Sequence, residues 1–172
     1  IYFKKADYAP SMVLFARACE YNTFNFTDEL YDCMYMCGKS IAMLEKNDDA
    51  EILLWNKMVD LDKNRSEAYV MLSRYYLWRN RFSEAYTFAK LTFENNCIKM
   101  DLPEEVNYLN LTEFDIDMQY LWCLYHTEWY RDCLPFSEKI KTKYDLNSNQ
   151  KGELDYFVNK VKDNQKYIER VL

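Results

Sequence analysis

The side chains most able to do chemistry are few in this sequence. It contains one histidine, His126, among 172 residues. A single histidine excludes zinc sites with two or more histidine ligands. His126 falls at the predicted end of a helix, beside Tyr125, and no motif pairs it with a nucleophile. We therefore predict a structural histidine, whose positive charge would suit the C-terminus of a helix.

The acidic residues offer one metal-binding motif. Asp115-Ile116-Asp117 is a D-x-D string, which can hold a divalent cation against a nucleotide diphosphate when it stands at the end of a strand. Here the string falls in the first turns of a predicted helix, where carboxylates complement the helix dipole. Two further acidic pairs are candidates for acid–base catalysis and are expected in caps and loops: Asp48/Asp49 and Glu104/Glu105. The sequence predicts no catalytic residue, no metal and no cofactor, so we do not expect this segment itself to be an enzyme, which leaves open catalysis by the longer protein to which it belongs.

The six cysteines are spread over segments with helical patterns: Cys19, Cys33, Cys37, Cys97, Cys123 and Cys133. Cys33 and Cys37 share one helix face, but a metal site would need two more ligands and none lies nearby in sequence. An even number of cysteines permits a disulfide framework, which a chain of this length does not need. We expect reduced thiols that pack as small apolar side chains.

Composition narrows the class of protein. With 2 Gly and 3 Pro the chain lacks the turn residues of a β-sandwich and the glycines of a phosphate-binding loop. The formal net charge of −6 disfavours nucleic acid as a partner. No apolar run is long enough to span a membrane, and we expect a cytoplasmic protein. The sequence begins at Ile1 without a methionine or a signal peptide, so we expect a segment of a longer protein.

Helical periodicity covers most of the chain. Pro10 suits the first turn of one helix, and Thr27 and Asp48 suit N-terminal caps of two others. The predicted helices run from about Pro10 to Tyr21, from just after Thr27 through Leu44, from just after Asp48 through Leu61, from Asn64 or Arg65 through Leu77, from Ser83 through Leu91, from Thr112 or Glu113 through Leu124, from about Tyr130 through Phe136, and from Ser148 or Asn149 through Ile168.

The helices form pairs that repeat. Gly38 precedes Ser73 by the same interval as Ala50 precedes Ala85, and small residues at such positions let helices approach closely. A period near 34 residues in helical pairs is typical of tetratricopeptide repeats. The third pair is displaced by the long connection 95–111. We predict an all-α protein, an α/α superhelix of about three helical hairpins in a single domain 1–172. Segment 1–8 is a linker or the end of a preceding element, and helix 148–172 caps the last hairpin.

A narrower resemblance follows from the order of several short stretches: Phe26 to Gly38, Asn64-Arg65-Ser66-Glu67-Ala68-Tyr69, Leu72-Ser73-Arg74-Tyr75-Tyr76, Ala85-Tyr86-Thr87-Phe88-Ala89-Lys90, Leu102-Pro103 and Phe114-Asp115. Over residues 9–145 this order resembles the tetratricopeptide-like region that follows family 2 glycosyltransferase domains in some bacterial and giant-virus proteins. Leu121 and Lys63 depart from that pattern, which has a small residue and a proline there. The resemblance implies a non-catalytic accessory module of a sugar-transferring enzyme, which positions the catalytic domain, a partner or a glycan acceptor.

The same registry predicts which side chains line the concave groove of the repeats. Aromatic and arginine side chains are frequent in interface hot spots, and aromatic faces also stack on sugar rings. The candidate partner-binding residues are Tyr35, Lys39, Glu67, Arg74, Met118, Trp122 and Tyr125. Three uses remain open for them: contact with a peptide or protein, packing against the next helix, and contact with a glycan. The alternative function is accordingly a free-standing adaptor that binds a protein segment in the groove.

Overall fold

The computed structural model describes residues 7–20, 27–44, 48–95, 98, 111–127 and 130–171. Within these ranges every regular element is an α-helix, which confirms the all-α prediction. The helices are α1 (Tyr8–Glu20), α2 (Thr27–Leu44), α3 (Asp48–Leu61), α4 (Glu67–Trp78), α5 (Phe82–Asn95), α6 (Glu113–His126), α7 (Tyr130–Lys143) and α8 (Ser148–Val171). No helix in the described ranges is long and apolar enough to cross a membrane.

Several helices begin at or next to the residues that the sequence predicted as their caps. Helices α2 and α3 begin at Thr27 and Asp48, the residues predicted to cap them, and α8 begins at Ser148. Helix α8 is preceded by Asn147, whose side chain accepts a hydrogen bond from the Gln150 N–H, while the Gln150 side chain accepts one from the Asn147 N–H. Helix α6 is capped by Thr112, whose side chain accepts a hydrogen bond from the Asp115 N–H, while the Asp115 carboxylate accepts one from the Thr112 N–H. This reciprocal pair satisfies two N–H groups that the helix itself cannot.

Helix α4 starts later than predicted. It begins at Glu67 rather than at Asn64 or Arg65, and Ser66 precedes it without making a side-chain cap. The reason is tertiary, because Arg65 and Ser66 are both buried outside the helix. The Arg65 guanidinium binds carboxylates on two elements, as described below. A contact of that kind overrides the local preference for helix.

The helices pack in chain order, each against the one before and the one after it, and α4 also contacts α6. Phe93 of α5 meets Phe136 of α7, and Trp122 of α6 meets Phe157 of α8. Alternate helices are therefore neighbours as well, so that α2, α4, α6 and α8 form one layer, called here the even-helix layer. This succession of neighbour contacts is the packing pattern of an α-solenoid.

Small residues stand where the sequence predicted close approach. Gly38 of α2 faces the indole of Trp55 on α3, and a Cβ added to it would lie 2.6 Å from the ring carbon Cζ3. At the equivalent position of α4, the Ser73 hydroxyl donates a hydrogen bond of 2.9 Å to the carbonyl of Ala85 on α5. The side-chain amide of Gln119 donates a bond of 3.0 Å to the same hydroxyl. Those contacts bring three helices together at Ser73.

The last helix closes the C-terminal part of the core. Leu154, Phe157 and Val161 of α8 are buried and pack in one cluster with Leu121 of α6 and Ile140 of α7. Leu121, which interrupts the series of small residues, is 0% exposed. Its side chain belongs to that buried cluster. Helix α8 therefore covers the end of the stack, as predicted for a capping helix.

Several predicted features lie outside the described residues. These are most of segment 1–8, positions 96–97 and 99–110 of the long connection, and the side chain of Asp48. Cys97, Glu104 and Glu105 fall in the same undescribed positions. At the edges of the connection, Asn95 ends α5 and Leu111 is buried beside Val70 and Ile116.

Candidate functional site

The structure divides the seven candidate partner-binding residues into two groups. Tyr35 and Glu67 are 0% exposed and Met118 is 3% exposed. These three offer no surface to a partner, which corrects the view that they line an open groove. Tyr35 packs against the indole of Trp55, with ring centroids 5.9 Å apart. The remaining four lie partly at the surface of the even-helix layer: Lys39, Arg74, Trp122 and Tyr125.

Glu67 is buried because it neutralises a buried arginine. Arg65 is 1% exposed, and its Nη2 lies 2.9 Å from Glu67 Oε1 and 3.0 Å from Asp32 Oδ1. The same guanidinium lies 3.8 Å above the ring centre of Tyr31 and 3.3 Å from the outer carboxylate of Asp28. Two charges removed from water are tolerated only when they are paired and hydrogen-bonded. This network ties α2 to the start of α4 and is structural.

Trp122 and Tyr125 pack against the next helix, one of the three uses that the sequence left open. The Phe157 ring of α8 lies edge-to-face with both, at centroid distances of 4.9 Å and 5.7 Å. Asn164 donates a hydrogen bond of 2.7 Å to the Tyr125 hydroxyl. Both aromatic side chains thus pack against α8, and both are half-buried.

A cluster of charges lies in the middle of the even-helix layer. It consists of Lys39 on α2, Arg74 on α4, Asp115 on α6 and Glu153 on α8, and is called here the charged cluster. Burial, and then the positive charge of Arg74, lower the pKa of Lys39 to about 8, while Asp115 opposes the shift. Burial, and then the charge of Asp115, raise the pKa of Glu153, and Arg74 opposes that shift. The four groups are therefore close enough to affect one another's charge.

The four members of the charged cluster form no ion pairs with one another. Within the described part of the chain, neither Lys39 nor Arg74 has a carboxylate within 4 Å, and Glu153 has no cation within that distance. Asp115 Oδ2 accepts bonds of 2.8 Å and 2.6 Å from the N–H and hydroxyl of Thr112. Lys39, Arg74 and Glu153 thus form no ion pair with a described residue, while Asp115 is bonded to Thr112. Such groups are under-compensated where they are partly removed from water.

Glu153 is the member of this cluster that sequence reasoning missed. Groove positions were assigned only within the three hairpins, and α8 was treated as a cap. The capping helix supplies a fourth charged position to the even-helix layer.

The two aspartates of the D-x-D string have different structural roles. Asp115 caps α6, as predicted for acidic residues in the first turns of a helix. Asp117 is 4% exposed, and its Oδ2 accepts bonds of 3.0 Å from Lys143 Nζ and 2.8 Å from the Tyr144 hydroxyl. These bonds fasten the end of α7 to α6. In the described ranges no group of three or more histidine, cysteine, aspartate or glutamate side chains is placed to hold a metal ion.

His126 and the cysteines lie in packed surroundings. His126 ends α6, as predicted, and stacks on Phe82 with ring centroids 4.7 Å apart. Burial, and then the charge of Lys160, lower its pKa. The five cysteines in the described part of the chain are free thiols. Burial is the largest cause of a raised pKa at Cys19, to about 11, so this thiol is not activated as a nucleophile.

Replacing Lys39 by methionine is expected to stabilise the fold near neutral pH. Because the pKa of Lys39 is about 8 in the folded chain and 10.5 when unperturbed, the unfolded chain binds more protons between these values. Stability of the native chain therefore rises with pH across that window. Lys39→Met should raise the free energy of unfolding by about 1–2 kcal/mol at pH 7, and this advantage should shrink towards pH 10. Urea unfolding of both chains over that range measures the difference, and a constant difference would contradict the assigned burial.

Comparison with protein-family models, with curated proteins and with solved structures finds no match to this chain.

Proposed function

We propose that this chain is a non-catalytic helical scaffold that holds an extended segment of a partner protein on its even-helix layer. The observation that carries the proposal is the pair Lys39 and Arg74. Both cations are half-buried, lie on neighbouring helices, and have no carboxylate within 4 Å in the described part of the chain. A carboxylate brought by a partner would pair directly with these cations in a partly desolvated site, where charged hydrogen bonds are strong.

The arrangement of the helices supports the same function. An α-solenoid presents one face of alternate helices as a continuous surface, which suits an extended ligand. The two aromatic candidates for stacking on a sugar ring, Trp122 and Tyr125, are in contact with Phe157 instead. This favours a protein segment over a glycan as the occupant. The attachment to a glycosyltransferase stays a prediction, which the coding sequence upstream of Ile1 would test.

Selection of peptides on the whole chain tests the proposal. A library of random twelve-residue peptides would be selected on the native chain, and the enriched peptides measured by fluorescence anisotropy. Their affinity should fall at least about tenfold on the double variant Lys39→Gln/Arg74→Gln, because two charged contacts are lost. The matched control is Lys57→Gln/Arg131→Gln, which removes two exposed cations from α3 and α7.

The control variant should bind the enriched peptides as the native chain does. Enrichment of no peptide, or equal affinity for the native chain and the Lys39→Gln/Arg74→Gln variant, would overturn the proposal. Circular dichroism of both variants verifies that helicity is retained.

A further inference from the structure

We propose that the bound segment alternates acidic with apolar side chains, and that its apolar side chains pack on Met43 and Trp78. This inference rests on the proposed function and deepens it by naming the chemistry of the segment. It follows from two exposed apolar side chains on the helices that carry Lys39 and Arg74. Met43 is 53% exposed and Trp78 is 82% exposed.

Each cation shares one face of its helix with one of these apolar side chains. Lys39 and Met43 are four residues apart on α2, and Arg74 and Trp78 are four residues apart on α4. Side chains at this spacing lie one above the other, about 6 Å apart along the helix axis. Each helix therefore presents a half-buried cation and, one turn closer to its C-terminus, an exposed apolar side chain.

Ion pairs fix the register between α2 and α4. Arg65 Nη2 lies 3.0 Å from Asp32 Oδ1 on α2 and 2.9 Å from Glu67 Oε1 on α4, so the two carboxylates lie side by side. Only a few residues separate α2 from α3 and α3 from α4, and therefore α2 and α4 run in the same direction. Tyr35 and Met71, one turn further along, pack in one buried cluster.

The same register pairs the exposed positions. Lys39 and Arg74 stand two turns beyond the paired carboxylates, and Met43 and Trp78 stand three turns beyond them. Helices in contact lie about 8–10 Å apart. The cations therefore form one row across α2 and α4, and the apolar side chains form a second row beside it.

The surroundings of Trp78 favour an acidic occupant. Among the described residues no other large apolar side chain is as exposed as this indole. Its neighbour Arg79 is held in place, with its guanidinium carbon 3.7 Å above the ring centre of Tyr75 and Nη1 donating a bond of 3.1 Å to the Tyr75 carbonyl. Tryptophan and arginine are the residues that most often dominate binding energy at interfaces. An acidic segment complements the charges beside the indole.

Two parallel rows select the pattern of the segment. In an extended chain, successive side chains point to opposite sides. In a segment that crosses α2 and α4 between the rows, every second side chain meets the cations and the others meet Met43 and Trp78. Alternation of acidic and apolar residues satisfies both rows, and covering the indole removes it from water.

Three blocked seven-residue peptides test the pattern. The first alternates glutamate with leucine, the second glutamate with serine, and the third lysine with leucine. Fluorescence anisotropy should show the glutamate–leucine peptide binding at least about tenfold more tightly than either of the others. The net charge of −6 on the chain favours the lysine–leucine peptide in non-specific binding, so this comparison is stringent.

Substitutions at the two exposed positions test the assignment to Met43 and Trp78. Met43→Ser/Trp78→Ser should weaken the glutamate–leucine peptide at least about tenfold and leave the glutamate–serine peptide unaffected. The matched control is Leu53→Ser/Tyr156→Ser, which removes two exposed apolar side chains from α3 and α8 and should change neither affinity. A shift of tryptophan emission to shorter wavelength should accompany binding to the native chain and be absent from the Met43→Ser/Trp78→Ser variant. Circular dichroism verifies that the variants keep their helices.

Equal affinity for the glutamate–leucine and glutamate–serine peptides, or an affinity that does not respond to Met43→Ser/Trp78→Ser, would refute the inference. The scaffold proposal is judged separately, by the selected peptides and the Lys39→Gln/Arg74→Gln variant. If the selected peptides require Lys39 and Arg74 but do not respond to Met43→Ser/Trp78→Ser, the segment binds through the cations alone. In that case the scaffold proposal stands and the apolar row is wrong.

Discussion

Replacing Arg65 by methionine is expected to lower the free energy of unfolding by about 3–5 kcal/mol. The substitution keeps apolar bulk near Tyr31 but leaves the carboxylate of Glu67, which is 0% exposed, without its cation. It also removes the bonds that tie Asp32 on α2 to the start of α4. An unpaired buried charge is among the most destabilising changes that a single substitution can make. Urea unfolding followed by circular dichroism measures the effect.

Two further variants separate the buried charge from a general effect of losing an arginine. Arg81→Met removes a guanidinium that pairs with Glu84 at the surface, and it should leave the stability almost unchanged. Arg65→Met/Glu67→Leu removes both buried charges and should recover about half or more of the lost stability. A double variant as unstable as Arg65→Met would show that the cost does not come from the unpaired carboxylate.

Replacing Gly38 by alanine is expected to lower the free energy of unfolding by about 2–3 kcal/mol. The added methyl group would lie 2.6 Å and 2.7 Å from the ring carbons Cζ3 and Cζ2 of Trp55, well inside van der Waals distance. Trp55 is 0% exposed and is packed among the aromatic and methionine side chains of the core, so its ring cannot move aside freely. Helix α2 and helix α3 would have to separate.

Gly152 provides the matched control, since it is also a helical glycine. A Cβ added there meets nothing within 4 Å. Gly152→Ala should therefore raise the stability by about 0.5–1 kcal/mol, through the better helix propensity of alanine. Thermal and urea unfolding of the two variants should give opposite signs. A stabilising Gly38→Ala would contradict the close approach of α2 and α3.

The fold was largely predictable because its signals are local. Thr112 forms its capping box with Asp115, only three positions away, and Asn147 makes the same kind of reciprocal pair with Gln150 at the start of α8. The small residue Gly38 indicated a close helix contact, which Trp55 confirms. The start of α4 was not predictable in the same way. Arg65 is held outside the helix by Asp32, which lies far away in sequence.

The candidate site was predictable only in part, for a related reason. A repeat registry tells which face of a helix a residue occupies, but not what packs on that face. Glu67 and Tyr35 were placed on the correct layer of helices, yet Arg65 and Trp55 bury them. Trp122 packs against the ring of Phe157. Lys39 and Arg74 remain as candidate partner-binding residues because no described carboxylate comes within 4 Å of them.

We expect a partner segment to bind across the charged cluster of the even-helix layer. Backbone amide spectra of the ¹⁵N-labelled chain, recorded with and without a selected peptide, test it most directly. The signals of Lys39, Arg74 and Glu153 should shift together with increasing peptide, while those of α3, α5 and α7 should change little. Shifts confined to α3, α5 and α7, with those of the charged cluster unchanged, would contradict it.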